Sequence, residues 1–295
     1  MLGRMSETSH PSHTSPNGIV VAATPLGNLA DASPRLIDAL STADVIAAED
    51  TRRVRSLATA LGVTLRGRVV SNFDHNERGR AAELIDAARS GTVLVVSDAG
   101  MPLVSDPGHA LVAAAHDAGV PVTCVPGPSA VTTALALSGL NVGRFIFDGF
   151  APRKQGARRQ WLESLRGETR AVCFFDSPHR VGTTLADAAA ILGSARRAAV
   201  CRELTKAFEE VKRAPLGELA QWAADGLRGE VTVVIEGAAD ANPGAEDVAT
   251  VVGQVLQREE AGERLKDAAK ELARANGIKA GELYEAALAA RNRVR

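Results

Sequence analysis

A chain of 295 residues with 45% apolar residues and a formal charge of −1 is long enough for two globular domains with an appendage. Near neutrality excludes a global field that would draw the chain to nucleic acid, so a polyanionic partner must meet a local basic patch. Aromatic residues, at 3%, are too sparse for the repeated stacking platforms of single-strand binders.

The first 17 residues lack the apolar centre of a secretory signal. Their Ser/His/Pro composition predicts a disordered tail, with His10 and His13 as a weak metal candidate. No run of 18 apolar residues offers a membrane span. Cys124, Cys173 and Cys201 form no C-x-x-C pair, and as strand-embedded thiols they are expected to be buried small hydrophobes in a reducing compartment. The expected address is the cytoplasm.

From Gly18 onward the pattern predicts strands at 19–23, 45–48, 69–71, 93–96 and 120–125, with helices near 34–42, 51–61, 78–89 and 108–118. Ser33 and Pro34 mark a helix start, as N-cap and first helical residue. Such a βαβ series implies a parallel sheet, and its last two strands read as fully buried. A second, mixed α/β series follows, with strands at 144–147, 171–175, 198–202 and 231–235 and helices near 155–166, 179–192 and 216–224. Residues 238–245 read as a linker. Three helical patterns follow at 246–260, 263–275 and 280–291, separated by Gly262 and Gly277, and the last two fit a helix–turn–helix. The division expected is therefore 1–17, 18–126, 127–240 and 245–295.

Ligands of open α/β sheets sit beyond the carboxyl ends of the strands. There the loop from Ser97 carries Asp98 and Asp106, while Pro126–Ala130 leads into a helix N-terminus suited to an anionic group. The turn Pro25-Leu26-Gly27-Asn28 after the first strand lacks the G-x-G-x-x-G dinucleotide fingerprint. After the second strand, Asp50 can cap the next helix, but Arg52 and Arg53 in its first turn oppose the macrodipole, which phosphate contacts would explain. His75 lies in the polar loop after the third strand.

Between 151 and 180, seven basic residues against three acids leave a local net of +4 (7 − 3). Arg153 and Lys154, directly after Gly149-Phe150, and Arg180 make this a candidate phosphate-tracking patch. Glu203 and Lys206 follow another strand. They could be a plain helical ion pair, or could deprotonate a hydroxyl and hold the nascent oxyanion, with Glu49 and Asp50 as the alternative pair. Walker A, G-x-S-x-G and H-E-x-x-H motifs are absent, and no metal constellation is apparent.

Taken together, ATPLGNL (23–29), AEDTR (48–52), SDAGMPLVSDPG (97–108), VPGPSA (125–130), GFAPRK (149–154), SPHR (177–180) and RELTKAFEE (202–210) resemble the tetrapyrrole-methylase-like superfamily of S-adenosylmethionine (SAM) enzymes. Within it, the resemblance is to the branch that methylates ribosomal RNA. It implies an α/β, two-domain tetrapyrrole methylase-like fold with SAM in the interdomain cleft, a small C-terminal helix-turn-helix-like domain, and a homodimer. It implies methyl transfer to the ribose 2′-oxygen of a cytidine in the decoding centre of 16S rRNA, on the small ribosomal subunit and away from any membrane. By motif position, Leu26, Asp98, Met101, Ser129 and Ala130 would line the cofactor site from one half, and Phe175, Leu204 and Thr232 from the other. Family members often have Tyr-Glu before Ser-Pro-His-Arg and Tyr in the loop at 73; here Phe175-Asp176 and Phe73 stand instead. Two other readings are methylation of a small tetrapyrrole and a ligand-sensing helix–turn–helix regulator. Against the regulator, residues 245–295 balance nine bases with nine acids.

Overall fold

Short apolar runs alternating with capped helices build two sheets, seen in a computed structural model that describes residues 17–72, 77–238, 248–276 and 278–294. Strands β1 (Gly18–Ala22), β2 (Val45–Ala48), β3 (Arg68–Ser71), β4 (Thr92–Val96) and β5 (Val122–Val125) form an all-parallel sheet, ordered β3-β2-β4-β1-β5. Helices α1 (Pro34–Thr42), α2 (Thr51–Ala60), α3 (Glu77–Ser90) and α4 (His109–Asp117) lie between them in sequence. Ile19, Val21, Val93 and Val95 pack with Leu84 of α3 and Leu111 of α4. Their neighbours Val20, Ala22, Leu94 and Val96 pack with Leu36 and Leu40 of α1 and Val54 of α2. Covering both faces is why these strands are almost wholly apolar. Ser33 caps α1 by accepting from the Leu36 N–H at 3.1 Å, and Asp50 caps α2 by accepting from the Arg52 N–H at 2.8 Å.

The expected burial of the fifth strand does not hold. Within β5, Val122 is half-buried and Thr123 and Cys124 are exposed, because it is an edge strand paired only with β1. Cys124 is thus no core thiol, unlike Cys173 and Cys201.

Helix α5 (Ala130–Ser138) lies on the second sheet, with Val131, Ala134 and Leu135 against Cys173, Ala199, Cys201 and Val234. That sheet contains β6 (Phe145–Phe150), β7 (Ala171–Asp176), β8 (Arg197–Arg202), β9 (Glu210–Pro215) and β10 (Val231–Ile235), ordered β6-β7-β10-β8-β9. Only β6 and β7 are parallel; the other pairs run antiparallel. Helices α6 (Gln155–Ser164), α7 (Val181–Leu192) and α8 (Leu216–Trp222) contribute Leu162, Leu185 and Leu219 to the core on its other face, with Phe174 and Val233. The sequence pattern misses β9, whose EVKRAP run has too few apolar residues to signal a strand. It forms as a charged edge strand, with Arg202 of β8 bound to Glu210 at 2.6 Å across the ladder.

Both sheets belong to one compact unit, made of residues up to Arg166 together with Arg170–Glu236. A second unit comprises Gly167–Thr169 and Gly237–Arg295. Helices α9 (Val248–Glu260), α10 (Leu265–Asn276) and α11 (Ala280–Val294) bury Val251, Val255, Leu265, Leu272, Leu283 and Ala287 in a core of their own. Most of the expected N-terminal tail and linker, and Gly277, lie outside the described residues. No described helix is long and apolar enough to cross a membrane. Among the described residues, no group of three or more His, Cys, Asp or Glu could hold a metal ion.

Candidate active site

Loops from both sheets converge on a cavity of about 350 Å³. Of the expected cofactor residues, Leu26, Met101, Ser129, Ala130, Phe175 and Thr232 line it. Asp98 and Leu204 do not: Asp98 turns to the Arg53 side chain, and Leu204 is buried in the core beneath α5. The first wall is set by a small backbone bridge, in which Thr24 and Gly100 exchange N–H···O bonds of 2.9 and 3.0 Å. Gly100 has φ +82°, and a Cβ there would lie 3.0 Å from Leu26 Cδ2. Leu103 and Ser105 are also left-handed, at φ 69° and 67°, a strained conformation of the sort that collects around ligand sites. Ser129 makes no side-chain cap bond to α5, which leaves the first N–H groups of that helix open for another acceptor.

Beside the cavity, the ends of β2 and β4 are tied together. The Asp50 N–H donates to Asp98 Oδ1 at 3.2 Å, and the Asp98 N–H donates to Glu49 Oε2 at 3.3 Å. Arg52 clasps Asp50 through Nε and Nη2, at 3.1 and 2.7 Å, and Arg53 Nε lies 3.2 Å from Asp98 Oδ2. The Arg52 side chain and the helix N–H together hold the Asp50 carboxyl down at about 2. Burial pushes Asp98 above its ordinary value despite Arg53. These carboxylates offset the two arginines at the helix start. Both guanidinium groups nevertheless remain largely exposed, at 86% and 64%.

Glu203 and Lys206, expected as the catalytic pair, are not among the residues lining the cavity and instead form a clasp with Glu230, which does line it. Lys206 Nζ donates to Glu203 Oε1 and to Glu230 Oε2, both at 3.0 Å, and Glu203 Oε1 also accepts from the Glu230 N–H at 3.0 Å. The Glu230 N–H and the Lys206 ammonium hold the Glu203 carboxyl below its ordinary value, making it a poor proton acceptor. Burial alone would lower Lys206, but its bonds to the two carboxylates outweigh it and raise the ammonium. The lysine stem covers Gly27, where a Cβ would lie 2.2 Å from Lys206 Cγ, and Thr205 Oγ1 accepts from the Asn28 N–H at 3.2 Å. Glu203 and Thr205 pay for this turn with left-handed φ of 51° and 66°.

Residues 18–220 match the family described as Tetrapyrrole (Corrin/Porphyrin) Methylases. The chain belongs to the tetrapyrrole methylase family. It is therefore a methyltransferase. A Mycobacterium bovis protein named ribosomal RNA small subunit methyltransferase I is 57% identical over 275 residues, spanning 92% of this chain and 95% of that protein. One of the same name from Pseudomonas aeruginosa is 38% identical over 274 residues, or 92% and 96%. In fold, the chain is similar to the methyltransferase CobJ, with a TM-score of 0.56 and 22% identity over 76% of this chain and 95% of that one. A diphthine synthase gives a TM-score of 0.55 and 21% identity, covering 74% and 89%.

The methylase uses fewer of its basic residues at the surface than the sequence count suggests. Arg158 is buried and binds Asp187 Oδ2 through Nε and Nη2 at 2.9 and 2.7 Å, with Arg159 on the other oxygen at 3.2 Å. Arg166 pairs with Glu163. Arg153 and Arg180 instead line a second cavity, of about 650 Å³, and Lys154 is exposed at the start of α6. His75 lies outside the described residues. Sequence reasoning missed Gly229–Val231 in the lining, because β10 runs antiparallel to β7 and so brings its amino end to the edge where β7 ends. Asp106, in the loop after β4, and Phe150, at the end of β6, also line this cavity, and their strand-end placement was the available signal.

Proposed function

We propose that this methylase transfers a methyl group from SAM to the ribose 2′-oxygen of a cytidine in the decoding centre of 16S rRNA, within the small ribosomal subunit. The observation that carries this reading is the cavity walled by strand-end loops of both sheets, next to a second cavity bearing Arg153 and Arg180. The relatives named for small-subunit rRNA point the same way.

The residues present fit SAM. Leu26, Met101, Val104, Phe175 and Val231 give apolar walls to an adenosine, and Asp106 and Glu230 add carboxylates for hydroxyl and ammonium groups. The open N–H groups at the start of α5, by Ser129 and Ala130, suit a carboxylate. Gly100 keeps the floor clear of a Cβ. When bound, SAM supplies an electrophilic methyl group on a sulfonium. The chain's own contribution is alignment: holding an acceptor oxygen in near-attack geometry can supply roughly 7–11 kcal/mol of the barrier. Asp98 acts from behind the lining, fixing the turn that bears Ala99–Met101, and Leu204 supports α5. The Glu203–Lys206 clasp positions Glu230 and the Leu26–Asn28 turn. Arg52, Arg53, Arg153, Lys154, Arg180 and His75 are assigned to RNA phosphates.

We further propose a homodimer, supported by the exposed apolar side chains Leu137 and Phe145, and a cytoplasmic location, supported by the relatives named for small-subunit ribosomal RNA. The division at 126/127 is supported by α5, which packs on the second sheet although it follows the last strand of the first. The test is tritiated methyl transfer to unmodified 30S particles, followed by mass mapping of the labelled nucleotide. Label on a ribose of 16S rRNA is expected. Label in a precorrin-type tetrapyrrole with none in the particles would overturn the reading.

A further inference from the structure

Strand β6 does not run straight to its end. Its register against β7 goes from Phe147↔Cys173 to Phe150↔Phe175, so one extra residue is bulged out between them. Gly149 makes this possible at φ +68°. In a regular strand Phe147 and Phe150 would point to opposite faces. The bulge returns both to the face of Phe175, whose ring meets them edge-on at 5.0 and 5.4 Å between centroids. Phe150 is nevertheless 61% exposed. A large aromatic ring is thus aimed by a backbone irregularity, steadied by a neighbour, and left open.

Phe150 stands where the two cavities adjoin, for it lines both, as does Ser177. The second cavity, within the common range of about 300–1,000 Å³ for small-molecule sites, is otherwise lined by Ala151, Pro152, Arg153 and Arg180. Arg180 is fixed by Asp176, whose side chain is fully buried: Nη2 and the Ser177 N–H both bind Oδ1 at 2.7 Å, while the Thr184 hydroxyl donates to Oδ2. Nη1 of the same guanidinium is buried with no hydrogen-bond partner. The Arg180 side chain as a whole is 27% exposed, and the residue lines the cavity. Arg153, exposed at the rim, makes no ion pair with the described residues.

An open ring beside an arginine with an unused donor matches a planar base joined to a phosphate. We propose that this second cavity is the acceptor-nucleotide subsite, in which Phe150 stacks the base of the target nucleotide and Arg180, with Arg153, takes its backbone phosphate. RNA readers that recognise unpaired nucleotides rest the splayed base on aromatic rings or guanidinium planes. The subsite then brings the ribose to the border of the two cavities, where the methyl donor would lie. This rests on the rRNA reading above and adds to it the residues that read the nucleotide.

Two measurements test it. In methyl transfer to unmodified 30S particles, Phe150→Ala should lower kcat/KM about 5- to 150-fold, the range given by loss of one stacked base. At saturating SAM, Phe150→Trp should restore the activity lost in Phe150→Ala, and the melting temperature should stay near the wild-type value in both. Separately, RNA carrying 5-iodocytidine at the target position, irradiated with the wild-type protein, should crosslink at Phe150, and Arg180→Lys should weaken the crosslink. Wild-type kcat/KM for Phe150→Ala, or a crosslink mapping away from Phe150–Arg153 and Ser177–Arg180, overturns the subsite. Crosslinking at Phe150 without any methyl transfer would leave the subsite standing and refute the reaction.

Discussion

Replacing Lys206 with Met separates a positioning clasp from a catalytic cation. Met keeps most of the apolar stem over Gly27, so the change removes charge with little loss of packing. Two ammonium bonds of 3.0 Å are lost. The one to Glu230 is with a carboxylate 70% exposed and contributes at most about 0.2–1 kcal/mol. The one to Glu203 joins side chains 27% and 20% exposed and contributes about 1 kcal/mol after allowance for solvent. Because Glu230 lines the cavity, the sum of about 1–2 kcal/mol should appear mainly as a KM for SAM raised about 5- to 30-fold. Single-turnover rates at saturating SAM should remain within about twofold of wild type.

The pH dependence follows from the two shifts. Glu203 lies below its ordinary 4.5, so its contribution is present above that value and is lost as pH falls through the lower folded value. Lys206 lies above its ordinary 10.5, so its contribution is present below that value and is lost as pH rises through the higher folded one. The ratio of variant to wild-type KM should therefore be flat between about pH 6 and 9. A fall of about 100-fold or more in the single-turnover rate with unchanged KM would refute the clasp and return Lys206 to the reacting atoms.

Arg158→Ala leaves Asp187 buried with only Arg159, and should destabilise the first unit by about 3 kcal/mol, the low end for a broken buried pair, as measured by urea unfolding. Gly100→Ala places a Cβ at φ +82° against Leu26; it should cost about 1–2 kcal/mol of stability and weaken SAM binding in calorimetry. Burial raises Cys173 to about 12 and Cys201 to about 11, so at pH 8 neither should react with a thiol reagent until denaturant is added, whereas Cys124 reacts in the native chain. Rapid native labelling at Cys173 would show that the core beneath α5 opens.

Much of this molecule is written in local pattern. Runs such as 93–96 and 231–235 read as buried strands and are so, and Ser33-Pro34 marks a helix start, so the element order and the strand-end loops follow largely from the chain itself. The loop residues Leu26, Met101, Ser129 and Ala130 were recognisable because strand ends are where such sheets expose backbone and side chains together. What local pattern cannot carry is which elements become neighbours. The run 120–125 reads as one buried strand, yet Thr123 and Cys124 are exposed, because strand order made β5 an edge. Glu203 and Lys206 are near neighbours in sequence, but the third member of their clasp, Glu230, lies 24 positions beyond Lys206. Arg158 counts as surface charge in the sequence and proves to be core, because α7 brings Asp187 against it.

The sequence by itself thus determined an alternating α/β chain with a helical C-terminal unit and the loops from which a site could be made. Only the tertiary structure decided which of those loops share a cavity. It also decided that β10 contributes its amino end, and that a one-residue bulge at Gly149 turns Phe150 toward that cavity. The physical reason is one of range: hydrophobic period and capping act over a few residues, whereas strand order, register and charge pairing are settled between residues tens of positions apart.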